Sequence, residues 1–184
     1  MPDKQAQWQK LFDCMLGYQA VWVIDVGLKT GLLQAIAGRE PVSESQLAEQ
    51  LAFDPRYLAV WCRAAYAFEI VEWDAAAGYR LASHLRELLL DPADPRFLGG
   101  RLQFYAALYE DFKAFPSYLK SGGSWARSEH DPWLLEALGN MTKPDAAMIL
   151  GAVLPQAPAT LARLESGGHI LDVGAGAGYA VIQY

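Results

Sequence analysis

The sequence predicts a mainly α chain that ends in the opening of an α/β unit. Three observations carry this expectation. Apolar residues recur at helical spacing through most of the chain. One strand–turn–strand candidate interrupts them, between Ile70 and Leu81. Finally, Ile170-Leu171-Asp172-Val173-Gly174-Ala175-Gly176-Ala177-Gly178 is an apolar run, then an acid, then glycine at every second position. That pattern predicts a buried parallel strand, a tight turn and a helix opening at Tyr179. Alternate glycines let a backbone approach a ligand closely and present N–H groups to it.

The elements follow in order. Trp8, Leu11, Phe12, Met15 and Leu16 form one apolar stripe of a first helix. A second, more apolar helix is expected from about Tyr18 to Thr30, closed by Gly31 as a C′ residue. Leu32, Leu33 and Ile36 continue into a short helix that ends at Gly38. Ser43 with Gln46 reads as a capping box. Asp54-Pro55 reads as an N-cap followed by proline at the first helical position. The helix it opens carries Leu58, Trp61, Cys62, Ala65 and Phe68 on one face. Ile70 to Trp73 and Tyr79 to Leu81 then form a hairpin around the small-residue turn Asp74 to Gly78. Three helices and a hairpin in this order predict a winged helix.

After Asp91-Pro92 and Asp94-Pro95, the residues Arg101, Phe104, Tyr105, Leu108, Tyr109, Phe112 and Phe115 follow helical spacing and are expected mainly in the core. Pro116 should disturb the end of that helix. Asp131-Pro132 opens another helix, which Lys143-Pro144 should break. A further helix is expected toward Leu154 and another to about Leu164, with Gly167-Gly168 turning into the strand.

Composition narrows the function. Fifty-three per cent of the 184 residues are hydrophobic, enough for a packed core, and the net charge is −6. No uninterrupted run of eighteen apolar residues occurs, so no membrane span is expected. Met1-Pro2-Asp3-Lys4 lacks the form of a signal peptide. Only Cys14 and Cys62 are present, which argues against a disulfide scaffold and for a cytoplasmic setting. From Glu40 to Glu87 four arginines face eight carboxylates, and DNA affinity rests largely on cations neutralising phosphates. No nucleic-acid partner is therefore expected. The three histidines lack metal-ligand spacing, so no metal is expected. His130 is the one with a candidate pocket role; His84 reads as a surface residue in the first turn of a helix, and His169 as structural.

The spacing of the glycines selects among nucleotide turns. The dinucleotide fingerprint needs G-x-G-x-x-G/A, and here the sixth position is Tyr179 or Val181, which fails. G-x-G-x-G with an acid two residues upstream resembles the first motif of class I S-adenosylmethionine (SAM)-dependent methyltransferases. The winged-helix-like block before it is similar to the layout of small-molecule O-methyltransferases. That resemblance implies a 1–165 dimerisation and substrate-lid domain and a 166–184 start of a Rossmann-like SAM-binding domain. It implies SAM as cofactor, held by Asp172, Gly174, Ala175, Gly176 and Gly178. Met141 matches the place where the family sets a methionine beside cofactor and substrate, although a leucine replaces the usual preceding aromatic. It further implies a small acceptor, aromatic in type, with O-methylation favoured, and a homodimer through the N-terminal helices. The family's catalytic base lies far downstream of the glycine turn, and no residue here matches it. On this reading the chain is truncated after the first strand, and by itself inactive. Two alternatives stay open: a winged-helix DNA-binding regulator, and a dimerisation module without catalysis.

Overall fold

The opening helix α1 runs unbroken over Lys4–Lys29 in a computed structural model that describes residues 3–38, 40–124, 126, 129–176 and 178–183. The apolar spacing predicts two helices there, and Gly17 falls between them. Nothing approaches Gly17 within 4 Å of where a Cβ would stand, so the glycine costs some propensity but no packing. Asp3 caps the first turn by accepting the Ala6 N–H at 2.8 Å. Gly31, at φ +79°, closes the far end in the left-handed conformation that glycine adopts freely. By length and composition alone α1 is long and apolar enough to cross a membrane.

The chain forms two compact units, residues 1–86 and 87–184. The first is the winged helix. After α1 come α2 (Leu32–Ile36), α3 (Glu44–Leu51) and α4 (Pro55–Ala67), then β1 (Val71–Asp74) and β2 (Gly78–Leu81). The capping box forms as expected: the Ser43 N–H donates to Gln46 Oε1 at 2.9 Å, and the Gln46 N–H returns to Ser43 Oγ at 3.3 Å. Asp54 caps α4 through the Arg56 N–H at 2.9 Å. The predicted inner face of α4 is buried at Leu58, Trp61, Cys62 and Ala65, with Phe68 half-buried, and the same core holds Leu33, Ile36 and Leu47. Trp61 Nε1 also donates to the Val23 carbonyl at 3.0 Å, tying α4 to α1.

The hairpin is antiparallel, with Val71 opposite Leu81 and Trp73 opposite Tyr79. Asp74 closes its turn by accepting the N–H groups of Ala76 and Ala77, which hold its carboxyl below the usual range. Val42 adds an unforeseen third rung. Its N–H donates to the Tyr79 carbonyl at 2.9 Å and its carbonyl accepts the Tyr79 N–H at 2.8 Å. Gly78 makes this possible: at φ +103°, a Cβ there would stand 2.5 Å from the Val42 oxygen.

In the second unit α5 (Leu85–Leu90, which begins at the boundary) leads to α6 (Gly99–Ala107), α7 (Tyr109–Ser121) and α8 (Pro132–Met148). Gly100 lets α6 cross closely over α8, because a Cβ there would strike the Asn140 carbonyl. Beside it Asn140 Nδ2 donates to the buried Gln103 Oε1 at 3.2 Å. The aromatic segment differs from expectation. It is two helices divided at Leu108; Tyr105 on α6 is exposed, and no α7 residue is buried, so Tyr109, Phe112 and Phe115 are exposed as well. Pro116 lies inside α7 rather than ending it. Likewise α8 runs through Lys143-Pro144, with Pro144 buried in the helix interior. A π-helical turn at Ile149–Val153, a 3-10 turn at Leu154–Gln156 and α9 (Pro158–Glu165) follow, and α10 (Tyr179–Gln183) ends the described chain.

The strand expected at Ile170 to Val173 does not form. That segment is irregular, with Leu171 and Val173 each 87 % exposed. A parallel strand needs neighbours to satisfy its backbone, and among the described residues the sheet holds β1 and β2 alone. α8 and α10 contact each other across the 165/166 boundary expected from the sequence.

Candidate functional site

The glycine turn is formed although its strand is not. Gly174, Gly176 and Gly178 have φ of +84°, +60° and +79°, all in the left-handed region. Each is a conformation that a side chain would strain, which accounts for glycine at every second position. The turn closes through the Gly178 N–H, which donates to the Ala175 carbonyl at 2.8 Å. Open space lies over the backbone: no atom stands within 4 Å of a Cβ position at Gly174 or Gly178, and at Gly176 the nearest is the Gly174 oxygen at 4.0 Å. Ala177 lies outside the described residues.

This turn forms one wall of a cavity of about 750 Å³ within the second unit. Asp172, Val173, Gly174, Ala175 and Gly176 line one side. Facing them is a stripe of α8: Leu135, Leu138, Gly139, Thr142 and Asp145. Ile149, Leu154, Thr160 and Leu164 complete the apolar surround, with His169 and Ile170 at the approach to the turn. The cavity is thus largely apolar, with a few polar groups converging from two segments, the form expected of a small-molecule site.

Of the expected cofactor residues, Asp172, Gly174, Ala175 and Gly176 therefore share one cavity. Gly178 is not among the lining residues and closes the turn through its N–H. Met141 is half-buried on α8 and does not line the cavity, although its neighbour Thr142 does. His169, read as structural from sequence, is a lining residue. Thr142, Asp145 and Thr160 were not foreseen. The available signal was the spacing of Leu135, Leu138, Gly139, Thr142 and Asp145, which places all five along one side of a helix.

His130 takes a different position. Its Nδ1 lies 3.0 Å from Asp111 Oδ1, which joins the start of α8 to α7, and neither residue lines the cavity. His84 is exposed at φ +67°, immediately before α5. Among the described residues no group of three or more His, Cys, Asp or Glu side chains is placed to hold a metal ion.

The model of the Rv2258c-like winged HTH domain family matches residues 19–90, the span from within α1 to the end of α5. Those residues are a winged helix-turn-helix domain. In this domain α4 occupies the recognition position, but Tyr57 and Val60 project from it, at 77 % and 56 % exposure. Arg56 is engaged by Asp54 at 3.0 Å, and on the wing Arg80 donates to Glu72 at 2.7 Å.

The chain as a whole is similar in fold to solved methyltransferase-type proteins. One is an O-methyltransferase family protein from Burkholderia thailandensis: 14 % identity, TM-score 0.58, 81 % of this chain and 46 % of that one covered. Another is the S-adenosylmethionine-dependent methyltransferase SibL in its apo form: 15 % identity, TM-score 0.61, 94 % of this chain and 60 % of that one covered. The chain thus spans about half the length of the solved proteins it matches. At these identities the likeness is one of fold. No curated protein matches the sequence.

Proposed function

We propose that this chain supplies the lid and the first cofactor wall of a SAM-dependent methyltransferase that methylates an oxygen of a small aromatic acceptor. The observation that carries the reading is the turn from Asp172 to Gly178. Three left-handed glycines leave an open backbone surface, and that surface faces a largely apolar cavity of about 750 Å³. The fold shared with methyltransferases supports it. In this reading residues 166–184 begin the cofactor domain and residues 1–165 supply the dimerisation and lid elements.

SAM, when bound, supplies a methyl group made electrophilic by its sulfonium. Asp172, Gly174, Ala175, Gly176 and Gly178 would hold it, with Met141 at the neighbouring helix. Glycine in the turn keeps the approach to the backbone clear of side chains. The Asp172 carboxylate offers a counter-charge to a ligand ammonium group. Leu135, Leu138, Ile149 and Leu164 exclude water from one side of the cavity, which strengthens polar contacts made inside it. Methyl transfer then depends mainly on holding donor and acceptor in line. An oxygen acceptor also profits from a base, and none is assigned to His84, His130 or His169.

A homodimer in the cytoplasm is part of the proposal. Trp8, Leu11, Met15, Tyr18 and Trp22 are exposed on α1 at alternating spacings of three and four residues. That spacing is the one a two-helix coiled coil uses for its seam, and a second copy would cover it.

The deciding experiment is calorimetric titration of the full-length protein with SAM and with S-adenosylhomocysteine, followed by assay with a panel of phenolic acceptors. Micromolar binding of both nucleosides is expected. Absence of binding by either would remove the methyltransferase reading.

A further inference from the structure

The glycine turn leads directly into α10, and a helix of five residues cannot hold itself in place by propensity. Its support is α8, against which it packs. One contact there is charged. The Lys143 ammonium stands over the Tyr179 ring, 4.6 Å from its centroid. That lies within the range where a cation is attracted by the negative face of an aromatic ring. Tyr179 is the residue immediately after Gly178, so the contact falls where the turn becomes helix. Lys143 is half-buried on α8 next to Thr142, which lines the cavity. No carboxylate lies within ion-pair distance of its ammonium among the described residues.

We propose that Lys143 is a positioning residue: through the face of Tyr179 it clamps the start of α10, and with it the Gly174 to Gly178 turn, against α8. The effect on cofactor affinity rests on the SAM reading given above, whereas the clamp itself does not. Lys143 does not itself line the cavity. It fixes the wall on which the ligand would lie, and an apolar side chain of equal length would pack there without the attraction to the ring.

Four variants of the full-length protein test the clamp: Lys143→Met keeps the stem and removes the charge, Lys143→Arg keeps a cation, Tyr179→Phe keeps the ring and Tyr179→Leu removes it. The first readout is amide hydrogen exchange over residues 174–183 without ligand, on the second time scale. Lys143→Met and Tyr179→Leu are expected to speed exchange by about two- to five-fold, while Lys143→Arg and Tyr179→Phe stay near the parent rate. The second readout is SAM affinity, which should weaken by the same about two- to five-fold in the first pair and not in the second. Circular dichroism confirms that each variant folds, and the independent ring variant covers any loss of the lysine one. Parent-like exchange in both Lys143→Met and Tyr179→Leu overturns the proposal, as does failure of Lys143→Arg to restore protection. If the parent protein takes up no SAM, the methyltransferase reading fails, and the exchange comparison still decides the clamp.

Discussion

Tyr79, on the second strand of the wing, donates its hydroxyl to Glu44 in the first turn of α3 at 2.9 Å. The phenol is 5 % exposed, and burial followed by the hydrogen bond to Glu44 pushes its pKa well above the usual value. The bond joins the hairpin to the helix that follows the capping box. Tyr79→Phe removes the donor and leaves the ring packed. We expect it to destabilise the first unit by about 1.5–3 kcal/mol, the usual range for a hydrogen bond to a charged group. Urea unfolding followed by tryptophan fluorescence measures this. A midpoint identical to the parent would mean that solvent replaces the bond without loss.

Cys62 lies fully buried against this pair. Burial, reinforced by the nearby Glu44 charge, pushes its thiol up to about 12. The folded thiol therefore stays neutral while an unfolded one ionises near pH 9. Stability tied to Cys62 is fully present below pH 9 and is lost as pH rises toward 12. Urea midpoints between pH 8 and pH 10.5 should fall more steeply in the parent than in Cys62→Ala, with Tyr79 contributing to the remaining slope. In native protein a thiol reagent should titrate exposed Cys14 quickly and Cys62 only on unfolding. Rapid labelling of both thiols at pH 8 would contradict the burial.

Gly176→Val places a β-branched side chain at φ +60°, where the turn wall meets the cavity. Strain at the turn and bulk over the cofactor surface act together. SAM affinity of the full-length protein should drop at least about ten-fold, while the winged helix keeps its thermal transition, because the change lies in the other compact unit. Unchanged affinity in a folded variant would separate this turn from the cofactor.

The α1 seam makes a separate prediction. Leu11 is its most exposed residue, at 71 %. Sedimentation at tens of micromolar should give a dimer for the parent and a monomer for Leu11→Glu, since like charges would face each other across a two-fold seam. A monomeric parent would remove the dimer. Co-flotation of the parent with lipid vesicles would instead assign this apolar face to a membrane.

Local chemistry made much of this legible. Ser43 with Gln46, Asp54-Pro55 and Gly31 each settle a backbone hydrogen-bonding problem within a few residues, and each forms as read. The glycine turn was legible for the same reason. What escaped depends on distant partners. Val42 pairs with Tyr79 across 37 positions, and no local pattern announces it. Ile170 to Val173 has strand composition, yet composition cannot supply the neighbouring strands that a ladder requires. The exposed aromatics of α7 share the period of a core helix, and period alone does not say what covers a face. On α8, Asp145 joins the cavity stripe of Leu135, Leu138, Gly139 and Thr142 only because the helix continues through Pro144.

The rung between Val42 and Tyr79 bears on how the protein behaves in solution. A free sheet edge is a template on which other chains can assemble. Val42 occupies the outer backbone groups of β2 at Tyr79, and Gly78 allows it to come close enough to do so. The opposite edge belongs to β1, four residues long, which carries Glu72 and Asp74. Short length and like charge discourage a second molecule from adding a strand there. The wing thereby resists edge-to-edge aggregation even while its tip stands in water, which leaves Ala75, Ala76 and Ala77, between the fixed Asp74 and Gly78, free to vary without opening an edge.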